Sequence, residues 1–116
     1  MTRPTPRARH NLTFTGSYLQ TKISYLDSTE NPINLSNYSS VMYVRNSPKL
    51  PPLFKLTDTL NADGSGIDMM DSVFGNINLL ISSFTSSLMP DIAYYSIDIY
   101  SGSLYVGLLE GKIIRM

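Results

Sequence analysis

Tyr95-Ser96-Ile97-Asp98-Ile99-Tyr100, then Ser101-Gly102-Ser103, then Leu104-Tyr105-Val106-Gly107-Leu108-Leu109-Glu110-Gly111-Lys112-Ile113-Ile114-Arg115 is the stretch that decides the fold class. Its first block alternates apolar and polar residues, its middle is a short glycine-containing break, and its last block returns to β-prone residues. Side chains on a strand point to opposite faces with a period of two, so this pattern predicts a β-hairpin.

The same periodicity extends backwards along the chain. Asn76-Ile77-Asn78-Leu79-Leu80-Ile81 alternates with Ile77, Leu79 and Ile81 inward, and a single helical turn is expected at Thr85 to Leu88, before Pro90-Asp91. Ser40-Val41-Met42-Tyr43-Val44-Arg45 is the best central-strand candidate, apolar on both faces. Leu12 and Phe14 share a face in Asn11 to Thr15, Tyr18 to Tyr25 is β-prone, and Phe54-Lys55-Leu56 alternates briefly. Asp27 to Pro32, Asn46 to Pro52 and Asn61 to Gly66 read as turns and loops, rich in residues that favour local side-chain bonds or fix the backbone. With no long segment of helical period, the expectation is an all-β protein, an antiparallel β-sandwich of about seven strands.

At 116 residues the chain fits one domain, divided here into a basic, proline-containing arm at 1–10 and a sandwich at 11–116. The arm holds Arg3, Arg7 and Arg9 with Pro4 and Pro6 and no acid, whereas all nine acids lie in the remainder. It reads as a tether that orders on a partner subunit, with at most weak contact to nucleic acid; a frayed terminus is the plainer alternative. Formal net charge is zero and only 16% of residues are charged, which suits a surface packed against other subunits. No apolar run approaches the ~20 residues of a membrane span, and the basic N-terminus lacks the apolar stretch of a secretory signal. The chain is therefore expected to stay where it is made or to leave as part of an assembly.

Catalytic and metal chemistry finds little to stand on. There is no cysteine, which removes disulfides, thiolate metal ligands and thiol nucleophiles. The one histidine, His10, lies in the arm, a poor place for a catalytic base. Glu30 and Glu110, the two glutamates, fall in turn-like or outward contexts, and the glycines match no phosphate-cradling loop. Asn61-x-Asp63-x-Ser65-Gly66-x-Asp68 resembles the start of a calcium loop but lacks the first acid and the closing glutamate; Ser72 stands there instead. A weak cation site from Asp63, Asp68 and Asp71 competes with a simple solvated acidic loop. No enzyme and no cofactor is expected.

The order of landmarks resembles the immunoglobulin-like domain of tailed-phage virion structural proteins, found in T4-like and cyanobacterial phages. The residues that carry the likeness are Gly16, Asn31-Pro32-Ile33-Asn34-Leu35, Tyr38, Val41 to Arg45, Ile77-x-Leu79-x-Ile81 with Thr85 and Leu88, Tyr95-x-Ile97-Asp98-Ile99, and Leu108-Leu109-Glu110-Gly111-Lys112-Ile113. The resemblance implies an immunoglobulin-like sandwich and a non-enzymatic role in the virion, in tail, baseplate or neck. Its partners would be other virion proteins and copies of itself, with no membrane and with synthesis in the host bacterium's cytoplasm. A capsid decoration protein, or a carbohydrate-binding receptor module using Tyr18, Tyr38 and Tyr100, are the alternatives.

Within that frame Arg3, Arg7, Arg9, Pro48, Pro51 and Pro52 are the expected partner contacts. Arg45 and Asp98 are expected to form a cross-strand ion pair if their strands are neighbours, and Tyr95 to act as a tyrosine corner. The terminal strand from Leu104 to Arg115 is expected to be exposed and able to extend a neighbour's sheet.

Overall fold

A computed structural model describes residues 8–9, 11–14, 18–25, 29–102 and 104–116. Nine strands are formed among them: β1 (Ala8–Arg9), β2 (Leu12–Phe14), β3 (Leu19–Ser24), β4 (Ser39–Arg45), β5 (Pro52–Thr57), β6 (Gly66–Asp68), β7 (Asn76–Ile81), β8 (Ile92–Ser101) and β9 (Leu104–Arg115). A 3-10 turn at Ser72–Phe74 leads into β7, and a one-turn helix, α1 (Ser83–Ser86), leads out of it.

The strands form two sheets. The larger runs β1-β9-β8-β4-β5, with β2 also on β9, and the smaller runs β3-β7-β6. Period-two burial sets both. Met42 and Val44 of β4, Tyr95, Ile97 and Ile99 of β8, and Leu109 and Ile113 of β9 face Leu19 of β3, Ile67 of β6 and Ile77, Leu79 and Ile81 of β7 in one continuous core. Each fully buried aliphatic side chain contributes about 1.5–3 kcal/mol, so these alternations outweigh any local preference of the short strands. The all-β sandwich expected from the sequence is the fold observed.

Two details depart from expectation. The sandwich is not wholly antiparallel, because β1 and β2 pair with β9 in parallel, Ala8 against Leu109 and Leu12 against Ile113. Asn11 spans the break between them, its Oδ1 accepting the Lys112 N–H at 3.0 Å. A parallel partner needs a long connection between the strands, and here it is the whole domain; that is why local patterning could not disclose it. It also means that β9 is not an exposed terminal strand: at 109–110 and 113–115 its outer edge is already paired. The boundary drawn at residue 10 is likewise crossed, since β1 lies inside the basic arm.

The second departure concerns β4. It is central, between β8 and β5, but only one face is in the core; Val41, Tyr43 and Arg45 on the other face are half-buried. In the closing hairpin Ser101 pairs with Leu104, and Gly102 at φ +58° occupies the left-handed region that a tight hairpin turn demands. No helix among the described residues is long and apolar enough to cross a membrane.

Candidate functional site

Chemistry-bearing side chains gather where the smaller sheet meets α1. Ser82 is the N-cap of α1, its Oγ accepting the Thr85 N–H at 3.3 Å. The same hydroxyl donates to Asp63 Oδ2 at 2.5 Å, as does Thr85 Oγ1 at 2.5 Å, and the Ser65 N–H donates to Asp63 Oδ1 at 3.0 Å. Ser65 completes the junction, its Oγ accepting the Ser82 N–H at 2.8 Å. The Ser82 hydroxyl first, then Thr85 and the Ser65 amide, hold the Asp63 carboxyl well below the usual carboxylate range.

Asp63, though exposed, is thus the strut that ties the 61–65 loop to α1. Asp68 is spent separately, its Oδ1 accepting the Met70 N–H at 2.9 Å. Among the described residues no three acidic or histidine side chains group as a metal site would require. Beside the strut lies a shallow groove of about 330 Å³, bordered by Tyr18, Gln20, Gly64, Leu80 and Ser83. Tyr18 stands 62% exposed at its rim.

From the other sheet, Arg115 at the end of β9 reaches the far end of α1. Its Nη2 donates to the Ser86 carbonyl at 2.8 Å and to Ser86 Oγ at 3.0 Å, while its N–H donates to the Asp91 carbonyl at 2.8 Å. Strut and arginine together hold a short helix that its own length would not sustain. What this corner presents outward is apolar: Phe84 is 71% exposed, and Leu88 and Ile92 are half-exposed. Phe84 lies on the helical turn and Leu88 just beyond it, where the Leu88 N–H donates to the Thr85 carbonyl at 3.0 Å.

A second apolar corner is built on the 3-10 turn. Gly75 closes that turn at φ +76°, and a Cβ there would fall 2.6 Å from the Tyr25 carbonyl oxygen. The close approach lets the Tyr25 N–H donate to the Gly75 carbonyl at 2.7 Å and Leu35 N–H to the Ser72 carbonyl at 2.8 Å. Met70 is left 83% exposed and Phe74 63% exposed, with Val73 beside them.

The sequence-derived site residues are scattered. Arg3, Arg7 and His10 lie outside the described residues, and Arg9 contributes backbone to β1. Pro48 and Pro51 are exposed between β4 and β5, whereas Pro52 opens β5 opposite Arg45. Tyr95 is buried in the core, and burial pushes its hydroxyl well above the ordinary phenol range.

The expected Arg45–Asp98 pair is corrected by register. Their strands are neighbours, but Arg45 faces Tyr94 and Asp98 faces Val41, an offset of about 13 Å along the strand. Arg45 instead donates from Nε to the Leu50 carbonyl at 3.1 Å and lies 5.2 Å from the Tyr43 ring centre. Tyr18, Tyr38 and Tyr100 do not form one platform: Tyr18 precedes β3 of the smaller sheet, Tyr38 packs against the core, and Tyr100 lies on β8 of the larger.

Sequence reasoning missed Asp63's role, Arg115 and both apolar corners. The usable signal for the first was Ser82 with Thr85 three residues on, a capping pattern ahead of the helical turn. No family model and no curated protein matches this chain.

Proposed function

We propose that this protein is a non-enzymatic assembly subunit, acting through protein–protein contacts in the virion of a tailed phage, in the tail, baseplate or neck. The observation that carries the reading is the outward display of large apolar side chains, Phe84, Leu88 and Ile92 on one corner and Met70, Val73 and Phe74 on the other. Apolar side chains gathered on rigid, internally anchored turns are what a partner surface covers. The polar groups nearest them, Asp63, Ser82, Thr85 and Arg115, are engaged in holding the corners. The motif order that resembles the immunoglobulin-like domain of phage virion proteins supports the phage setting.

Quantitative mass spectrometry of purified particles tests this. The chain is expected at a copy number that matches the rotational symmetry of the tail. Copy numbers equal to those of the major capsid protein would move it to a decoration role, and absence from particles would overturn the proposal.

A further inference from the structure

We propose that the open edge of β3 is a self-association surface, on which β3 of a second copy pairs antiparallel about a two-fold axis through Thr21. The edge is free by topology. Both N-terminal strands go to β9, so β3 keeps β7 as its one strand neighbour among the described residues. No backbone group of a turn or loop among them bonds to its other side. The remaining edges are guarded: β5 opens on Pro52, carries exposed Lys55 and faces a register shift at Val44/Arg45, β6 has only three residues, and β9 is paired at 109–110 and 113–115. Proline, lysine, irregularity and shortness are the means by which sheets discourage an added strand. β3 runs six regular residues with neither proline nor glycine, and Lys22 is its single charge.

Ladder parity says which groups the edge offers. The Tyr25 N–H donates to the Gly75 carbonyl at 2.7 Å, in step with the pairing of Ser24 with Asn76 and Ile23 with Ile77. Backbone groups of alternate residues point to opposite edges, so Leu19, Thr21 and Ile23 bond to β7 while Gln20, Lys22 and Ser24 turn theirs outward. Directly opposite residues share a face, and a slip of one residue would set core side chains against solvent ones. Two-fold axes through Gln20, Thr21 or Lys22 remain. An axis through Lys22 sets that cation against its own copy, and one through Gln20 leaves Ile23 and Ser24 beyond the pairing. The axis through Thr21 matches the whole run from Tyr18 to Ser24. Gln20 and Lys22 then exchange backbone bonds crosswise, as do Tyr18 and Ser24. On the core face Thr21 meets Thr21 and Leu19 meets Ile23, which covers the half-buried Thr21 and Ile23 of each copy. Charge does not select the partner, because Lys22 shares the outer face of this sheet with Asp68, across Asn78. The contact uses the same surface on both copies and closes as a dimer. It rests on the assembly reading above and names one of the partners.

Sedimentation velocity and cysteine cross-linking test it, the latter cleanly because the chain has no cysteine of its own. The wild type is expected to populate a dimer by about 100 µM. Lys22→Pro removes an outward N–H and leaves the bonds to β7, so it is expected to keep the wild-type circular dichroism and to be monomeric. Thr21→Cys is expected to form a disulfide-linked dimer with oxidised glutathione, because opposed Cα atoms at such a site stand about 4.5 Å apart. Gln20→Cys, whose two copies stand roughly 8 Å apart, is expected to link at least about tenfold more slowly. A wild type that stays monomeric at that concentration overturns the proposal, whether or not β3 accepts an extended peptide of another protein. Association that persists in folded Lys22→Pro also overturns it, as does Gln20→Cys linking as fast as Thr21→Cys. The cysteine pair decides the matter even if Lys22→Pro fails to fold. None of these results bears on whether the chain is found in purified particles.

Discussion

Thr85 and Asp63, 22 residues apart in sequence, are joined by a 2.5 Å hydrogen bond from Thr85 Oγ1 to Asp63 Oδ2 that fixes the corner carrying Phe84 and Leu88. The bond is partly buried and acts on presentation: without it the loop at 61–65 keeps the hydrogen bonds of Ser65 and Asp63 to Ser82, the N-cap of α1. Asp63→Asn keeps the shape and removes the charge that draws three donors. The variant is expected to melt below the wild type and to expose the amides of Thr85 and Ser86 to faster hydrogen exchange, with the exchange of Ile97 and Leu79 unchanged.

The same carboxylate sets an acid limit. Its folded pKa is depressed, so the unfolded chain takes up the proton first as pH falls, and the stability it contributes is present above the unfolded value of about 3.9 and lost below it. Thermal unfolding followed from about pH 6 to about pH 2 should show a fall in Tm beginning near pH 4 that is smaller in Asp63→Asn. At the alkaline end Tyr95 has the opposite shift. Its folded pKa is raised, so stability is full below the unfolded value of about 10 and declines above it. Alkaline difference absorbance should show one tyrosine that titrates only with unfolding, and Tyr95→Phe should remove that delayed step.

Gly75 and Gly64 make a matched pair. Both have positive φ, +76° and +88°, but a Cβ at Gly75 meets backbone of Tyr25 and Ile33 while one at Gly64 meets open space. Gly64→Ala is expected to cost about 1 kcal/mol of left-handed strain. Gly75→Ala adds a backbone clash and should cost about 3 kcal/mol or more, read from urea midpoints.

Ile97 lies at the centre of the larger sheet, opposite Met42 on one side and Leu109 on the other, and is fully buried. Ile97→Ala should cost about 2–5 kcal/mol, a large share of the stability of a domain this size. Arg115→Met, which retains much of the stem, should cost about 1–2 kcal/mol and loosen the amides of residues 86–89.

How much was legible follows from the range of each signal. Ile77, Leu79 and Ile81 announce β7, and Ile97 and Ile99 announce β8, because burial on a strand repeats within a few residues. The helical turn was legible within two residues, since its cap is local. Register was not: Arg45 and Asp98 sit on neighbouring strands, but nothing in either segment fixes which residues face each other. The parallel pairing of β1 and β2 with β9 joins the two ends of the chain and leaves no nearby trace. Asp63 was read as one acid among several because its hydroxyl partners stand 19 and 22 residues away.

The central claim is that the apolar corners exist to be covered. Hydroxyl-radical footprinting of the chain within purified particles, against the isolated chain, tests this directly at Met70, Phe74 and Phe84. The account predicts strong labelling of all three in isolation and marked protection in the particle. Equal labelling in both states would contradict it.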